Sequence, residues 1–405
     1  MSIHLPGRRA RTAAVGLSVA ALVLTACSTT ESGTDEAATS TGAEASAPAG
    51  PRLAVATDNG VAVLDAESLE EVGRADLDGF VRLNDGGDGE HVYVSTSQGF
   101  EVLGTGASTG AEPALTGAVF EAGAAGHVVL HEGRTVLFDD ATGSFRAFDT
   151  DALTDSAELP AGVEEMTSPH AHHGVAIELS DGTVLATIGT EESRSGVRHL
   201  DADGTELARS EDCPGVHGEG SLAQERVIFG CEDGVLLFDD GEFTTLDSPD
   251  EFGRVGNAYV TEGSDVAVVD YNDDPDAEGV LLHRMAVVNT TGATMEVVDL
   301  PDGVEYTWQG VERAEDGSAW FVGTDGSLHQ VDGATGEILT SHPVIEPWEG
   351  PAEWQDAHPY LVVADGTGWV TEPGTGSVHA VDLATGAVTG TGTVDGAPNE
   401  MTLVS

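Results

Sequence analysis

The sequence has no lysine. All 15 of its basic residues are arginine, and they face 71 acidic residues in a chain of 405. A field of that sign repels nucleic acid and anionic lipid headgroups and concentrates cations near the surface, so nucleic-acid binding is excluded and a cation-handling role is permitted. Aromatic residues make up only 5% of the chain, and no convincing amphipathic helical period occurs in it. That absence leaves an all-β class as the reading of a chain rich in glycine and aspartate turns. Beyond one short run near the N-terminus, no segment approaches the ~18 consecutive apolar residues of a membrane-spanning helix.

That short run has a specific setting. Arg8, Arg9 and Arg11 precede the apolar stretch from Ala13 to Leu24, and Leu24-Thr25-Ala26-Cys27 follows. A positive n-region, a short h-region and a small-residue cleavage site describe an export signal. The Leu-Thr-Ala-Cys step resembles a bacterial lipobox, which implies cleavage before Cys27 and a diacylglyceryl anchor on its sulfur. The expected organisation is a signal peptide over residues 1–26, a linker over 27–50 and a folded domain over 51–405, with the protein extracytoplasmic and lipid-anchored to the cell membrane. The linker has no large apolar side chain and cannot bury enough surface to order itself. Losing the signal removes three arginines and no acid. With Cys27 lipidated, Cys213 and Cys231 remain, and an isolated pair in an exported protein is most simply a disulfide, two thiolate metal ligands being the alternative.

From Pro51 onward, short β-rich runs alternate with tight turns, as in "RTVLFDDATGSFRAFD" and "GWVTEPGTGSVHAVDLATGAV". The D-x-x-T-G and D-G steps are turn chemistry that joins antiparallel neighbours. The unit recurs every ~40–50 residues, the period of a four-stranded β-propeller blade. Second strands fall near Val92, Val136, Val184, Val227, Val266, Trp320 and Trp369. An eighth unit is implied at the seam, where "RLAVATDNGVAVLDAESLEEVGRA" supplies three strands and the C-terminal "NEMTLVS" supplies the inner one. The expected fold is an eight-bladed β-propeller closed by both termini, with seven blades as the alternative; closure removes exposed sheet edges. Asp270, Asp273, Asp274 and Asp276 lie in an insertion of one unit, where a solvated acidic hairpin is preferred to a calcium loop because the EF-hand spacing and closing glutamate are missing.

Histidine spacing carries the functional signal. Residues 168–179, "SPHAHHGVAIEL", hold His170, His172 and His173, and such density alone is as common in solvated loops as in ligand shells. About ten positions before the marked second strands stand His127, His172 or His173, and His217, with 46 residues from His127 to His173 and 44 from His173 to His217. Residues one blade apart occupy equivalent radial positions, so three consecutive blades direct an imidazole at the same part of the channel. Zinc takes about four ligands near 2.0–2.2 Å from imidazole and carboxylate. His131, four residues along the strand from His127, and Glu219, two after His217, are further ligand candidates. His358 falls at an equivalent place but across the ring; His170 is out of phase; His91, His199, His283, His329 and His379 lie in outer strands as ordinary surface or core residues.

The stretches "GHVVLHEGRTVLFDD", "SPHAHHGVAIEL" and "EDCPGVHGEGSLAQERVIFGCEDGVLLFD" resemble the corresponding segments of AztD-type periplasmic zinc chaperones. The resemblance implies a β-propeller that binds Zn(II) and passes it to the solute-binding protein of a zinc ABC importer. It implies zinc ligation by His127, His173 and His217, with His131 and His172 as alternatives. In that family a histidine-rich segment precedes the H-x-x-x-H strand, whereas residues 104–123, "GTGASTGAEPALTGAVFEAG", hold no histidine. This argues against a second, labile zinc site there. The expected protein is a monomeric metallochaperone acting by reversible ligation, not an enzyme. Two other readings stay open: a zinc hydrolase or lyase with Glu219 as general base, and a metal-free interaction scaffold.

Overall fold

In the computed structural model, residues 47–261, 263–277 and 279–405 are described. The signal-peptide, lipidation (Cys27) and most of the linker expectations fall on residues outside that range. The chain forms eight four-stranded antiparallel sheets. The strands Val92, Val136, Val184, Val227, Val266, Trp320 and Trp369 mark are the second strands of seven sheets, and the eighth is the seam. We number the blades from the seam: blade 1 holds Arg52–Thr57, Gly60–Asp65 and Glu71–Ala75 with Glu400–Val404 as its inner strand. Blades 2 to 8 have the inner strands Arg82–Asp85, Ala125–His131, Ala176–Glu178, His217–Leu222, Ala258–Tyr259, Val311–Arg313 and Leu361–Ala364.

The seam is a full ladder, with Ala54 opposite Thr402 and Arg52 opposite Val404. Glu400, fully buried, accepts from Leu83 N, Arg82 Nε and Gln309 Nε2, each at 3.0 Å. One carboxylate thereby ties the closing strand to blades 2 and 7. Across the other side of the seam, Trp369 Nε1 donates to the Ala66 carbonyl at 3.1 Å.

The turns explain why the chain folds back so often. In the three D-x-x-T-G loops the glycine N–H donates to the aspartate carbonyl, Gly143 to Asp139, Gly336 to Asp332 and Gly386 to Asp382, at 2.7–2.8 Å. Each glycine sits at φ near +70°, which a side chain resists. The aspartate carboxylate caps the loop, as where Asp382 Oδ1 accepts Thr385 N at 2.8 Å.

The strands are buried on both faces between neighbouring blades, so the core is divided into interblade layers. The largest joins blades 3, 4 and 5 through Phe138, Phe145, Leu185, Val197, Val227 and Phe229. These are the blades that carry the phased histidines, and packing holds their inner strands in fixed relation. The insertion of blade 6 does not gather its four aspartates. Asp270 is buried against Asn257, and Asp273 pairs with Arg284 at 3.0 Å.

Candidate metal centre

His127 lies on the inner strand of blade 3, His173 three residues before that of blade 4, and His217 opens that of blade 5. One ring nitrogen from each falls within 4.8 Å of the other two. His173 Nε2 stands 3.0 Å from His217 Nε2 and 3.4 Å from His127 Nε2. Two nitrogens bound to a tetrahedral zinc at 2.0–2.1 Å are about 3.3 Å apart, so the spacing matches the edge of such a site.

The rings are aimed by partners on their far sides. His173 Nδ1–H donates to Asp140 Oδ2 at 2.6 Å, and His217 Nδ1–H donates to the Gly256 carbonyl at 2.6 Å. Because a carboxylate and a carbonyl only accept, each ring must carry a proton on Nδ1, which makes Nε2 the atom that faces its neighbour. The two Nε2 atoms point at each other across 3.0 Å. Two bare nitrogens at that spacing repel until a proton or a metal ion sits between them.

Local backbone makes this possible. A Cβ on Gly126 would meet Asp140 Oδ1 at 2.2 Å, so only glycine lets that carboxylate reach His173. Gly218, at φ +60°, forms a bulge between His217 and Glu219, and a Cβ there would meet the Gly256 carbonyl at 2.4 Å. The Gly256–Asn257 loop is itself held by buried Asp270, whose Oδ1 accepts Gly256 N at 2.5 Å and Asn257 N at 3.0 Å.

The histidines face a channel cavity of about 890 Å³, with His173 exposed and His127 and His217 half-buried among the blades. That burial, with the neighbouring imidazoles and arginines, holds His127 well below the ordinary histidine range and His217 down to about 3. Both are neutral and ready to ligate at neutral pH without first losing a proton. Asp140→Asn, which leaves the His173 ring without its charged acceptor, is expected to weaken zinc binding by about 10–100-fold. Competition titration against a chromogenic chelator checks this.

The structure separates the other expected ligands from this group. His172 is turned into the blade: Nδ1–H donates to the His170 carbonyl at 2.9 Å, Nε2 is 3.0 Å from Thr187 Oγ1, and the ring lies edge-on to Phe138. A Cβ on Gly189 would stand 2.6 Å from that ring, so the pocket is made for it. His131 shares the channel side with His127 but lies four residues on, ~13 Å along a strand. It bonds Glu225 Oε1 at 2.9 Å in a second cavity of about 810 Å³. Glu219 lines both cavities but does not join the cluster, because the Gly218 bulge breaks the strand alternation that would align it with His217. Burial pushes its carboxyl up to about 7. Cys213 and Cys231 form a disulfide, so they supply no thiolate. His358 is buried on the Asp356 carbonyl at 2.7 Å, away from the cluster.

Asp140 and the Gly256 carbonyl were not expected from sequence. Asp140 did have a signal: the second position of the D-x-x-T-G turn is aspartate here, but Gly333 and Leu383 in the other two such turns.

A buried carboxylate elsewhere in the channel gives a pH test of the fold. Burial pushes Glu312, on the inner strand of blade 7, from 4.5 up to about 7. A raised folded-state value means that its stability contribution is full below the unfolded value and is lost as pH rises through about 7. Glu312→Gln is therefore expected to raise Tm by about 2–4 °C at pH 8 and to leave it unchanged at pH 5. Equal shifts at both pH values in scanning calorimetry contradict the assignment.

The fold and the cluster define a class: an eight-bladed β-propeller with three imidazoles converging from consecutive blades at a metal-sized spacing. The comparisons make this more particular. The chain is 24% identical over 284 residues to the zinc chaperone AztD of Citrobacter koseri, a match covering 67% of this chain and 64% of that relative's length. The structure of apo AztD from Citrobacter koseri superposes with a TM-score of 0.74 at 20% identity, covering 87% of this chain and 97% of that one. The dihydro-heme d1 dehydrogenase NirN, in complex with DHE, shares the fold more distantly, with a TM-score of 0.58 at 11% identity over 87% of this chain and 74% of that one. No protein-family model matches the chain. The protein is thus related in sequence to AztD and shares its fold, and that relative carries the name of a chaperone rather than of an enzyme.

Proposed function

We propose that the protein is an extracytoplasmic zinc metallochaperone. It binds Zn(II) through His127, His173 and His217 and delivers it to the solute-binding protein of a zinc ABC importer. The observation that carries this reading is the convergence of three ring nitrogens, with the Nε2 atoms of His173 and His217 fixed face to face at 3.0 Å by acceptors on their Nδ1 atoms. The relation to a zinc chaperone supports the choice of metal. In the same reading, residues 1–26 are an export signal, Cys27 carries the lipid anchor, and residues 27–50 tether a monomeric propeller to the membrane.

Three neutral nitrogens make a site suited to hand-off. The protein supplies three of zinc's about four ligands. The open cavity beside the cluster gives a recipient's side chain room to approach while the histidines still hold the ion. Stepwise exchange then avoids free zinc. The direct test mixes zinc-loaded protein with the apo solute-binding protein in the presence of excess chelator. Associative hand-off makes the recipient's zinc uptake rate rise with its concentration. A rate that is independent of recipient and equal to spontaneous dissociation overturns delivery by contact.

A further inference from the structure

Among the described residues, eight of the twelve arginines make ion pairs: Arg52, Arg74, Arg82, Arg134, Arg146, Arg209, Arg226 and Arg284. Two of the others bond inside the blades without a carboxylate, Arg198 on Ser168 Oγ at 3.3 Å and Arg313 on the Val266 and Gly317 carbonyls, each leaving a buried Nε without a partner. That leaves Arg194 and Arg254, whose charges both reach the histidine cluster. In a chain with 71 acidic residues, two arginines without an ion pair near one cluster of histidines need a reason.

Arg254 lines the same cavity as the three histidines and the Gly256 carbonyl that aims His217. Its one side-chain hydrogen bond among the described residues is a long one, Nη1 to the Gly215 carbonyl at 3.4 Å, two residues before His217. Arg194, whose carbonyl accepts Gly215 N at 2.9 Å, has a buried Nη1 with no partner. Both cations add to the field that lowers His217. The acids facing this space are engaged or remote: Asp140 is on His173, Asp270 on the 256–257 loop, Glu232 faces Arg194, and Glu400 holds Arg82. Glu219 and Glu312 line the channel as half-buried groups, both pushed up to about 7.

With zinc on three neutral imidazoles, Asp140 balances one of its two positive charges; Arg254 adds one more, its acidic neighbour Asp270 being tied to the 256–257 loop, while Glu232 offsets Arg194. The fourth coordination position opens to a cavity of about 890 Å³, far more than an ion requires. No carboxylate or thiolate of the described residues joins the cluster. We propose that the fourth ligand is a carboxylate from outside the chain, one oxygen on the metal and the other on the Arg254 guanidinium. The step is a ligand exchange in which the carboxylate displaces water, and it rests on the metal-binding reading above. Planar two-oxygen recognition is what a guanidinium provides and an ammonium does not. The carboxylate is either a small free acid or an aspartate or glutamate side chain of another protein.

The test loads the full chain with Co(II), whose visible spectrum reports coordination, and titrates in acetate or a capped Gly-Glu-Gly peptide at constant ionic strength. A saturable spectral change is expected. Saturation by acetate alone assigns a free acid, and saturation by both admits a protein side chain. Arg254→Gln is expected to weaken the anion's binding about tenfold or more, with Arg254→Lys intermediate, while cobalt uptake without anion persists. If cobalt binds but neither probe changes its spectrum, or if Arg254→Gln titrates like the native protein, the carboxylate site is wrong and the metal site stands. If cobalt does not bind at all, both readings fail.

Discussion

Replacing His173 and His217 together with alanine is expected to lower zinc affinity by at least about a thousandfold. A zinc site of about four ligands contributes about 10–16 kcal/mol, or about 3 kcal/mol per ligand, so losing two exceeds the ~4 kcal/mol of a thousandfold change. The fold should survive: His173 is exposed and precedes its strand, and His217 faces the channel rather than a packed layer. Competition titration measures the affinity, and thermal melting separates it from stability. His172→Ala makes the contrasting control. That ring is 2% exposed and hydrogen-bonded at both nitrogens, so its loss should lower Tm while leaving zinc affinity within a few-fold. The reverse pattern would assign the ligand to the wrong neighbour.

The second large effect is expected at the disulfide. Cys213 lies in the connection between blades 4 and 5, and Cys231 ends the second strand of blade 5. Backbone bonds fasten the same connection, Cys213 N to the Ser195 carbonyl at 3.1 Å and Glu232 N to the Pro214 carbonyl at 2.8 Å. The bridge therefore anchors the segment that delivers His217. Replacing both cysteines with serine is expected to destabilise the protein by about 3 kcal/mol, the loop-closure entropy for a bridge of this span. Zinc affinity should fall too, because His217 loses its fixed aim. Chemical denaturation gives the first number and zinc titration the second. Lower stability with unchanged affinity would mean that the bridge serves the fold alone.

How much of this was legible in the sequence differs from residue to residue. The blade count was legible because the turns are written in the chain: Asp139, Asp332 and Asp382 each stand four residues before a glycine that only a left-handed turn requires. The closing strand Glu400–Val404 was legible because the seam offered three strands without an inner one. Histidine phase worked for the same reason, since blade period fixes radial position. It could not choose between His172 and His173, because both lie in a loop before the strand, where alternation does not apply. His131 shows a different limit. Strand parity put it on the right face, but parity does not say how far along the channel a residue lies. Glu219 was displaced by a bulge, and the Gly256 carbonyl has no side chain to read.

The zinc K-edge X-ray absorption spectrum of the zinc-loaded protein, purified without a histidine tag, tests the central claim most directly. The account predicts three imidazole nitrogens and one further light ligand at about 2.0–2.1 Å, with no sulfur. When His173 and His217 are replaced, imidazole scattering should fall to no more than the share of His127. A sulfur ligand, fewer than two imidazoles, or an unchanged spectrum in that variant would contradict it.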